Sequence, residues 1–528
     1  MIAPGSATPA SHLEIRRRLS AVRVLLSLLL IAALTGGGYL GWQRWSAAQA
    51  AEANDPWIAG YVDVTATPSF AFEAPASKAG RDVVLSFIVA GKDDPCEPSW
   101  GTAYTLAEAS EALDLDRRLA RLEQLGGQIV VSFGGLLNDE LATGCTDPGA
   151  LRDAYAAVVD RYRVTTIDLD LEGEGLTDTA AGHRRAEAIR SLQAQRREAG
   201  TELAVWLTLP VSPAGLTEDG TTAVSLMLSA GVDLAGVNLM TMDYGSSRAE
   251  GQSMAEASIQ ALTSAHRQLS TLYSRAGTEL SAATVWSKIG ATPMIGQNDV
   301  SDEVFSLDDA RKVNAFAREM KIGRMSLWSL NRDAPCGSNY VDLKRVSDAC
   351  SGIDQGDLRF AELLGDGFIG RPEASATAVT MSEAQKENVV DDPATSPYVI
   401  WSEEGSFLEG TKVVWHRNVY QAKWWTRGDL PDNPVLNDWE TPWTLVGPVL
   451  PGERPFEATT LPAGTYPDWA GLAAYEKSDR VLFEGVPYES KWWNQGDSPA
   501  AAASDPDGSP WIPLTEDDVI PVRDGRVG

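Results

Sequence analysis

Between Thr166 and Gly173 the chain reads Ile167-Asp168-Leu169-Asp170-Leu171-Glu172, three carboxylates at every second position with aliphatics between them. In an extended strand alternate side chains point to opposite faces, so the acids share one face and the aliphatics the other. Like charges at that spacing repel, and buried carboxylates need partners or take up protons. A strand made only for packing gains nothing from such a row. A row whose outermost member must hold a proton near neutral pH does, and that is what a general acid acting on a glycosidic oxygen requires. The plainer reading is a solvated edge strand with its acids outward. A calcium loop lacks the glycine and the further acids that an EF-hand needs.

The surrounding elements decide between these. Apolar runs at Ile58–Val64, Val83–Ala90, Gln128–Phe133, Thr165–Leu171, Leu203–Leu209, Leu234–Met242, Ile289–Ile295 and Arg324–Leu330 read as strands. Amphipathic stretches such as Leu115–Gln124, Leu151–Tyr162, Ala181–Glu198 and Leu307–Met320 fall between them. Strand and helix alternating in this way predict an α/β chain with a (β/α)8 TIM barrel over residues 57–360. A doubly wound sheet is the alternative, but no glycine-rich phosphate loop follows the first strand. In a barrel, catalytic groups sit where strands end at the C-terminal face. Glu172 ends the fourth run there, with Asp170 and Asp168 descending beneath it.

The 528 residues suffice for two to four domains. With 73 acidic against 44 basic residues the formal net charge is −29. That argues against nucleic acid or an anionic membrane surface as partner, since both need clustered Lys and Arg. Four histidines and no Cys-x-x-Cys pair give no metal cluster and no cofactor site. Arg16, Arg17, Arg18 and Arg23 precede an uncharged run from Val24 to Trp42. Roughly 20 such residues span a bilayer as a helix, and basic flanks stay inside. A cytoplasmic tail at 1–21, a transmembrane anchor or signal segment at 22–42 and a linker at 43–56 follow from this. Cleavage near Ala48-Gln49-Ala50 is the rival to an anchor. Either way the bulk of the chain is exported, to the outer face of the cell membrane or into the medium. Export favours two disulfides among Cys96, Cys145, Cys336 and Cys350. Of the three possible pairings, Cys96–Cys145 and Cys336–Cys350 are favoured, each member falling in a loop at one end of the domain.

Residues 361–396 turn to Ala, Thr, Ser, Glu and Pro, a linker composition. Beyond it Trp401, Tyr420, Lys423-Trp424-Trp425 and Trp443 recur as Trp469, Tyr488, Lys491-Trp492-Trp493 and Trp511, always 68 residues later. Two small all-β modules are expected, at 397–450 and 466–518, joined by a linker at 451–465. Ten of the 17 tryptophans fall after Pro397, more than cores so small need. On a strand, adjacent Trp424 and Trp425 face opposite ways, so one of each pair is expected in the core. The other, with Trp492 or Trp493 as counterpart and Tyr420 and Tyr488 beside them, offers a flat platform for a sugar ring.

The order of motifs resembles glycoside hydrolase family 18, the chitinases, over roughly residues 57–360. Val131-Ser132-Phe133-Gly134-Gly135 ends the third strand, Asp168-x-Asp170-x-Glu172 the fourth, and Met240-Thr241-Met242-Asp243-Tyr244 the sixth. Trp328 stands in Leu327-Trp328-Ser329-Leu330-Asn331-Arg332-Asp333 in the eighth. The C-terminal repeats resemble the chitin-binding modules of carbohydrate-binding families 5 and 12 that accompany bacterial chitinases. Thr165-Thr166 stands where the longer family motif opens with Asp-Gly, at positions mainly structural in the family. The resemblance implies a substrate-assisted retaining mechanism, a departure from the usual two-carboxylate scheme. Glu172 would be acid and base, Asp170 would steady the acetamide, and Asp168 would share a proton with Asp170. Tyr244 would hold the acetamide oxygen, Asp243 and Met240 would line the pocket, and Trp328 would form its floor. Met240 and Tyr61 read equally as core or as subsite. Residue physics adds that a charged pair beneath Glu172 raises its proton affinity. The expected partner is chitin or another N-acetylglucosamine polysaccharide, acted on by a monomer. A peptidoglycan- or N-glycan-directed relative is one alternative. A non-catalytic sugar-binding barrel is the other, and Glu172 counts against it.

Overall fold

The computed structural model describes residues 58–338, 346–370, 390–450, 452–454, 460–503, 508–514 and 518–519. The basic tail, the apolar segment and the linker expected at 1–56 lie outside them, as does 371–389 of the expected interdomain linker. Among the described residues no helix is long and apolar enough to cross a membrane.

Eight parallel strands form the barrel: β1 (Ala59–Asp63), β2 (Asp82–Ala90), β3 (Ile129–Gly134), β4 (Thr166–Asp170), β5 (Ala204–Ser212), β6 (Leu234–Met240), β7 (Ile289–Thr292) and β8 (Arg324–Met325). Each pairs with the next, from β1–β2 to β7–β8. The Tyr61 amide donates to the Leu327 carbonyl at 3.0 Å just beyond β8, closing the ring. All eight strand-like runs of the sequence become these strands. Both faces of each strand are covered, one by the barrel interior and one by helices, which is why parallel strands read as near-continuous apolar runs. Ile167, Leu169 and Leu171 point outward and are fully buried under the helix layer.

The helices start where short polar side chains can accept the first free amides. Ser253 and Glu256 form a reciprocal capping box at the start of helix Met254–Arg275, and Ser306 and Asp309 do so for helix Leu307–Met320. Helix Phe360–Gly365 straddles the domain end expected at residue 360. Phe360, Leu364 and Phe368 belong to the barrel core, and Asn314 Nδ2 donates to the Leu364 carbonyl at 2.7 Å. The barrel unit therefore runs to Phe368; aromatic content, not composition bias, marks its true end.

Cys96–Cys145 and Cys336–Cys350 are bonded. Both bridges tie loops that follow strand ends: Cys96 follows β2, Cys145 caps helix Leu141–Gly144 after β3, and the second pair follows β8.

Each C-terminal repeat is a small, mainly antiparallel sheet beside a two-stranded ribbon, with Val399–Ile400 adding a parallel pairing in the first copy. In the first copy Lys412–Trp415 pairs with Asn418–Ala422, and Phe407 with Thr426. In the second Arg480–Phe483 pairs with Val486–Ser490, and Tyr475 with Asn494, every register again offset by 68 residues. Even a single bond repeats: Trp443 Nε1 donates to the Asp429 carbonyl and Trp511 Nε1 to that of Asp497, both at 2.8 Å. The second copy begins ahead of residue 466, because Leu461 packs with Leu482, Leu514 and Val519.

Two expectations about the repeats are corrected. Lys423-Trp424-Trp425 and Lys491-Trp492-Trp493 lie between strands, not on them, so alternation does not apply to them. Both members of each pair are exposed, Trp424 at 43% and Trp425 at 59%, Trp492 at 46% and Trp493 at 57%. Tyr420 and Tyr488, expected at the sugar surface, are instead buried with Trp401 and Trp443 in one copy and with Trp511 in the other. The cores are built from those tyrosines and single tryptophans, which leaves the paired tryptophans free.

Candidate active site

Register places the acid row. Ser132 on β3 lies opposite Asp168, Gly134 opposite Asp170, and Thr208 on β5 opposite Asp170 from the other side. Asp168 is completely buried and its two oxygens accept four hydrogen bonds. Tyr61 Oη at 2.8 Å and Ser132 Oγ at 2.7 Å donate to Oδ2; Thr208 Oγ1 at 2.7 Å and Arg324 Nη1 at 2.6 Å donate to Oδ1. Arg324 is 1% exposed and also reaches Tyr61 Oη at 3.1 Å and Ser326 Oγ at 3.0 Å. Asn238 extends the network, donating to Thr208 at 3.0 Å and to Thr292 at 2.7 Å. This polar layer draws on β1, β3, β4, β5, β6, β7 and β8.

Two expectations change here. Tyr61 is core rather than subsite: it is buried, and burial first and the Asp168 charge second push its phenol well above the ordinary tyrosine range, so it stays a donor. Among the described residues no hydrogen bond joins Asp168 to Asp170, and the Asp168 oxygens accept instead from Arg324, Tyr61, Ser132 and Thr208. Sequence reading missed Ser132, Thr208, Asn238, Thr292 and Arg324. A signal for Arg324 existed: a lone arginine opening an apolar barrel strand needs a buried acid as partner.

Removing one member of a buried ion pair leaves the other charge uncompensated, at about 3–5 kcal/mol. Arg324→Met is therefore expected to destabilise the barrel by about that much, read from the denaturant midpoint of its unfolding transition. A change under about 1 kcal/mol would show that Asp168 is held without it.

Asp170 stands above this layer in a different state. Its Oδ1 is buried with no hydrogen-bond partner, a costly arrangement for a lone protein. Burial first, then the charges of Glu172 and Asp168, push its carboxyl well above the usual range, against a lowering effect of Arg324. The repulsion between Asp170 and Glu172 falls on Asp170, the more deeply enclosed of the two. Its backbone is fixed by the glycine pair at the end of β3. Gly135 N donates to the Asp170 carbonyl at 2.9 Å. A Cβ on Gly134 would come within 2.1 Å of that carbonyl oxygen, and one on Gly135 within 2.9 Å of the Phe87 ring.

Glu172 follows β4 in extended conformation, immediately before the short helix Gly173–Thr177. Its carboxyl is raised to about 7, by burial first and by the Asp243 charge second. The sequence reading credited the pair beneath Glu172; the structure assigns the effect to desolvation and to an acid arriving from β6. Asp243 takes a left-handed conformation, φ 49°, which short polar side chains tolerate. The Val300 amide donates to its Oδ1 at 3.0 Å. Burial leads in raising Asp243 as well, with Asp299 and Glu303 adding to it and the backbone donors opposing.

Tyr244 does not face the row. It is buried, its hydroxyl donates to Ser258 on the outer helix Met254–Arg275 at 3.1 Å, and its amide donates to the buried Glu303 at 2.9 Å. Glu303 also accepts from the Gly245 amide at 2.9 Å and pairs with Arg248 at 3.3 Å. Tyr244 thus braces the loop that presents Asp243, and the acetamide-holding role implied for it has no support in this placement. Trp328 is half-buried and stacks on Phe87, centroids 5.6 Å apart and planes at 20°, with Tyr61 at 5.9 Å and 6.3 Å from the two rings. Met240 is half-buried at the end of β6. Phe87 was absent from the sequence reading, hidden among the aliphatics of its strand.

Because Asp243 raises Glu172, Asp243→Asn is expected to lower the Glu172 value. The form with Glu172 protonated would then be lost at lower pH, and the alkaline limb of the pH–rate profile would move toward acid. An unmoved limb would mean that burial alone sets Glu172. Among the described residues no cluster of three or more His, Cys, Asp or Glu is arranged to hold a metal ion.

Fold and site together define a class: a closed (β/α)8 barrel carrying a graded row of acids, an aromatic stack and exposed tryptophan platforms on appended modules. No protein-family model matches the chain. It is 36% identical over 261 residues to a probable bifunctional chitinase/lysozyme of Escherichia coli (strain K12), covering 48% of this chain and 28% of that protein. It is 35% identical over 257 residues to endochitinase 11 of Metarhizium anisopliae, covering 48% of this chain and 47% of that one. The chain thus spans less than half the length of these curated relatives. Among solved structures, the catalytic domain of a hyperthermophilic chitinase from Pyrococcus furiosus is 28% identical with a TM-score of 0.51, over 60% of this chain and 98% of that domain.

Proposed function

We propose that this chain is an exported chitinase of glycoside hydrolase family 18 type, cutting β-1,4 bonds between N-acetylglucosamine units by a substrate-assisted retaining route. One observation carries the reading: a carboxyl poised near 7 stands next to a buried carboxyl whose Oδ1 has no partner. An acid near 7 is matched to protonating a leaving oxygen at neutral pH. An orphaned buried acceptor asks for an N–H from outside the protein, and the acetamide of N-acetylglucosamine brings one.

The steps follow from those two groups. The Asp170 oxygen accepts the acetamide N–H and turns the acetamide carbonyl oxygen toward the anomeric carbon. That oxygen attacks as Glu172 gives its proton to the glycosidic oxygen, and the aglycone leaves with it. Positive charge on the resulting oxazolinium ion is offset by Asp170 in its ionised form, which Arg324 favours and the Asp168 charge opposes. Glu172, now ionised, takes a proton from water as the water attacks the anomeric carbon; the bond from that carbon to the acetamide oxygen breaks, the acetamide is restored, and β configuration is retained. Phe87 and Trp328 supply the apolar face against which a sugar ring lies. The likeness to proteins named chitinases supports the reading, and the exposed tryptophans of both repeats suit adsorption to an insoluble polymer. Two disulfides suit an oxidising compartment and so support export.

The test is cleavage of chitin beside its fully deacetylated counterpart. Chitin should release oligomers whose new reducing ends start as the β anomer, and the deacetylated polymer, lacking the internal nucleophile, should be left intact. Equal cleavage of both, or initial α anomer, would refute the mechanism. Peptidoglycan run in parallel covers the second reading, since one relative is named for lysozyme activity as well. For the repeats, replacing Trp424, Trp425, Trp492 and Trp493 together by Ala should weaken adsorption to insoluble chitin at least about tenfold, as loss of ~1.4 kcal/mol of stacking would give. Unchanged adsorption isotherms would remove these residues from sugar binding.

A further inference from the structure

The two repeats share a core but not a surface. In the first copy the segment between the Trp pair and Trp443 runs Pro434-Val435-Leu436-Asn437-Asp438-Trp439, and it meets the barrel. Leu436 packs on the barrel core, the Thr271 hydroxyl of helix Met254–Arg275 donates to the Val435 carbonyl at 3.2 Å, and Arg267 of the same helix pairs with Asp438 at 3.1 Å. Leu436 is not part of the first copy's own core, which is Trp401, Phe407, Val413, Tyr420, Ala422 and Trp443. So its packing serves the contact with the barrel rather than the module's fold. The Arg267–Asp438 pair is solvated at both ends, and such pairs contribute little; the apolar contact of Leu436 carries the attachment.

Sequence carries the same distinction independently. At the 68-residue offset, Val435, Leu436 and Asp438 correspond to Ala503, Ser504 and Pro506 in the second copy. The branched aliphatics Val435 and Leu436 are replaced there by Ala503 and Ser504, and the Asp438 position by Pro506, although the Lys-Trp-Trp unit is retained.

The docked segment also reaches the platform. Lys423 Nζ donates to the Asp438 carbonyl and lies 5.3 Å over the ring of Trp424. Trp439, next in sequence to Asp438, is 68% exposed. A line of contacts therefore joins barrel helix, Asp438, Lys423 and Trp424.

We propose that the first repeat is a docked extension of the barrel, its tryptophan platform held in a fixed orientation to the catalytic face, while the second is an independently oriented binding module. This deepens the proposed function, and rests on it for the identity of the ligand. The attachment itself does not, which lets the two be tested apart.

The four native cysteines are bridged, so added cysteines can be spin-labelled selectively in the full chain. One label goes on the exposed barrel-helix site Thr263, by Thr263→Cys. The other goes on matching exposed positions of the repeats, Thr444→Cys or Ile512→Cys. Pulsed dipolar spectroscopy without ligand should give a narrow distance distribution for Thr263–Thr444 and a broad one for Thr263–Ile512. Leu436→Asp, which places a carboxylate in the apolar contact, should broaden the first to the width of the second. Equal widths for the two pairs, or a first distribution unchanged by Leu436→Asp, would overturn the proposal. Leu436→Asp should also lower sugar release from insoluble chitin several-fold. A chain that gives the expected distances yet releases nothing from chitin would overturn the proposed function and leave the docking established.

Discussion

Glu172→Gln is expected to lower turnover of chitin oligomers by about 10³-fold while leaving their binding nearly intact. A positioned general acid contributes roughly 10²–10⁴-fold, and Glu172 serves twice, first giving a proton to the leaving oxygen and then taking one from water. Glutamine keeps the size and the polar contacts but has no proton to give at any accessible pH. The effect should therefore appear in kcat and spare KM, and the alkaline limb that Glu172 imposes near pH 7 should vanish from the residual activity. Above that pH the wild-type carboxyl is ionised and cannot act as acid, so wild-type activity falls as pH rises through about 7. Turnover within tenfold of wild type, or a residual profile that keeps the limb, would exclude Glu172 as the acid.

Asp170→Asn is expected to cost about 10²–10³-fold, the size of effect seen when one preorganised electrostatic group is removed from a developing charge. The side chain stays isosteric and still presents an oxygen, so substrate should dock. What disappears is the negative charge beside the oxazolinium ion, and with it the stabilisation that grows only as that ion forms. The loss should again fall on kcat, and more heavily than for Asp243→Asn, whose acid acts through Glu172 and is anchored by backbone amides. An Asp170→Asn enzyme within about tenfold of wild type would mean that its unpartnered oxygen serves packing rather than catalysis.

Arg324 illustrates why such charges can be stored in a barrel. It is 156 residues from Asp168 in the chain, yet the pair is 2.6 Å apart with both side chains sealed from water. Four donors, from Arg324, Tyr61, Ser132 and Thr208, hold the Asp168 carboxyl in place beneath Asp170.

The sequence by itself determined the architecture and the row. Buried parallel strands must be apolar on both faces, so eight aliphatic runs announced eight strands. Period-two alternation put Asp168 and Asp170 inside β4 with Ile167, Leu169 and Leu171 outside. The constant offset of 68 residues revealed the repeats. These are local or strictly periodic properties, and local properties survive in a linear text. Tertiary structure alone decided the rest. Closure of the ring delivered Arg324 and Tyr61 to Asp168, a left-handed Asp243 turned Tyr244 away and brought its own carboxyl toward Glu172, and placement between strands rather than on them exposed both members of each Trp pair. Above all, the proton affinity of Glu172 comes first from desolvation, and how much water a group loses depends on everything folded around it rather than on its neighbours in the chain.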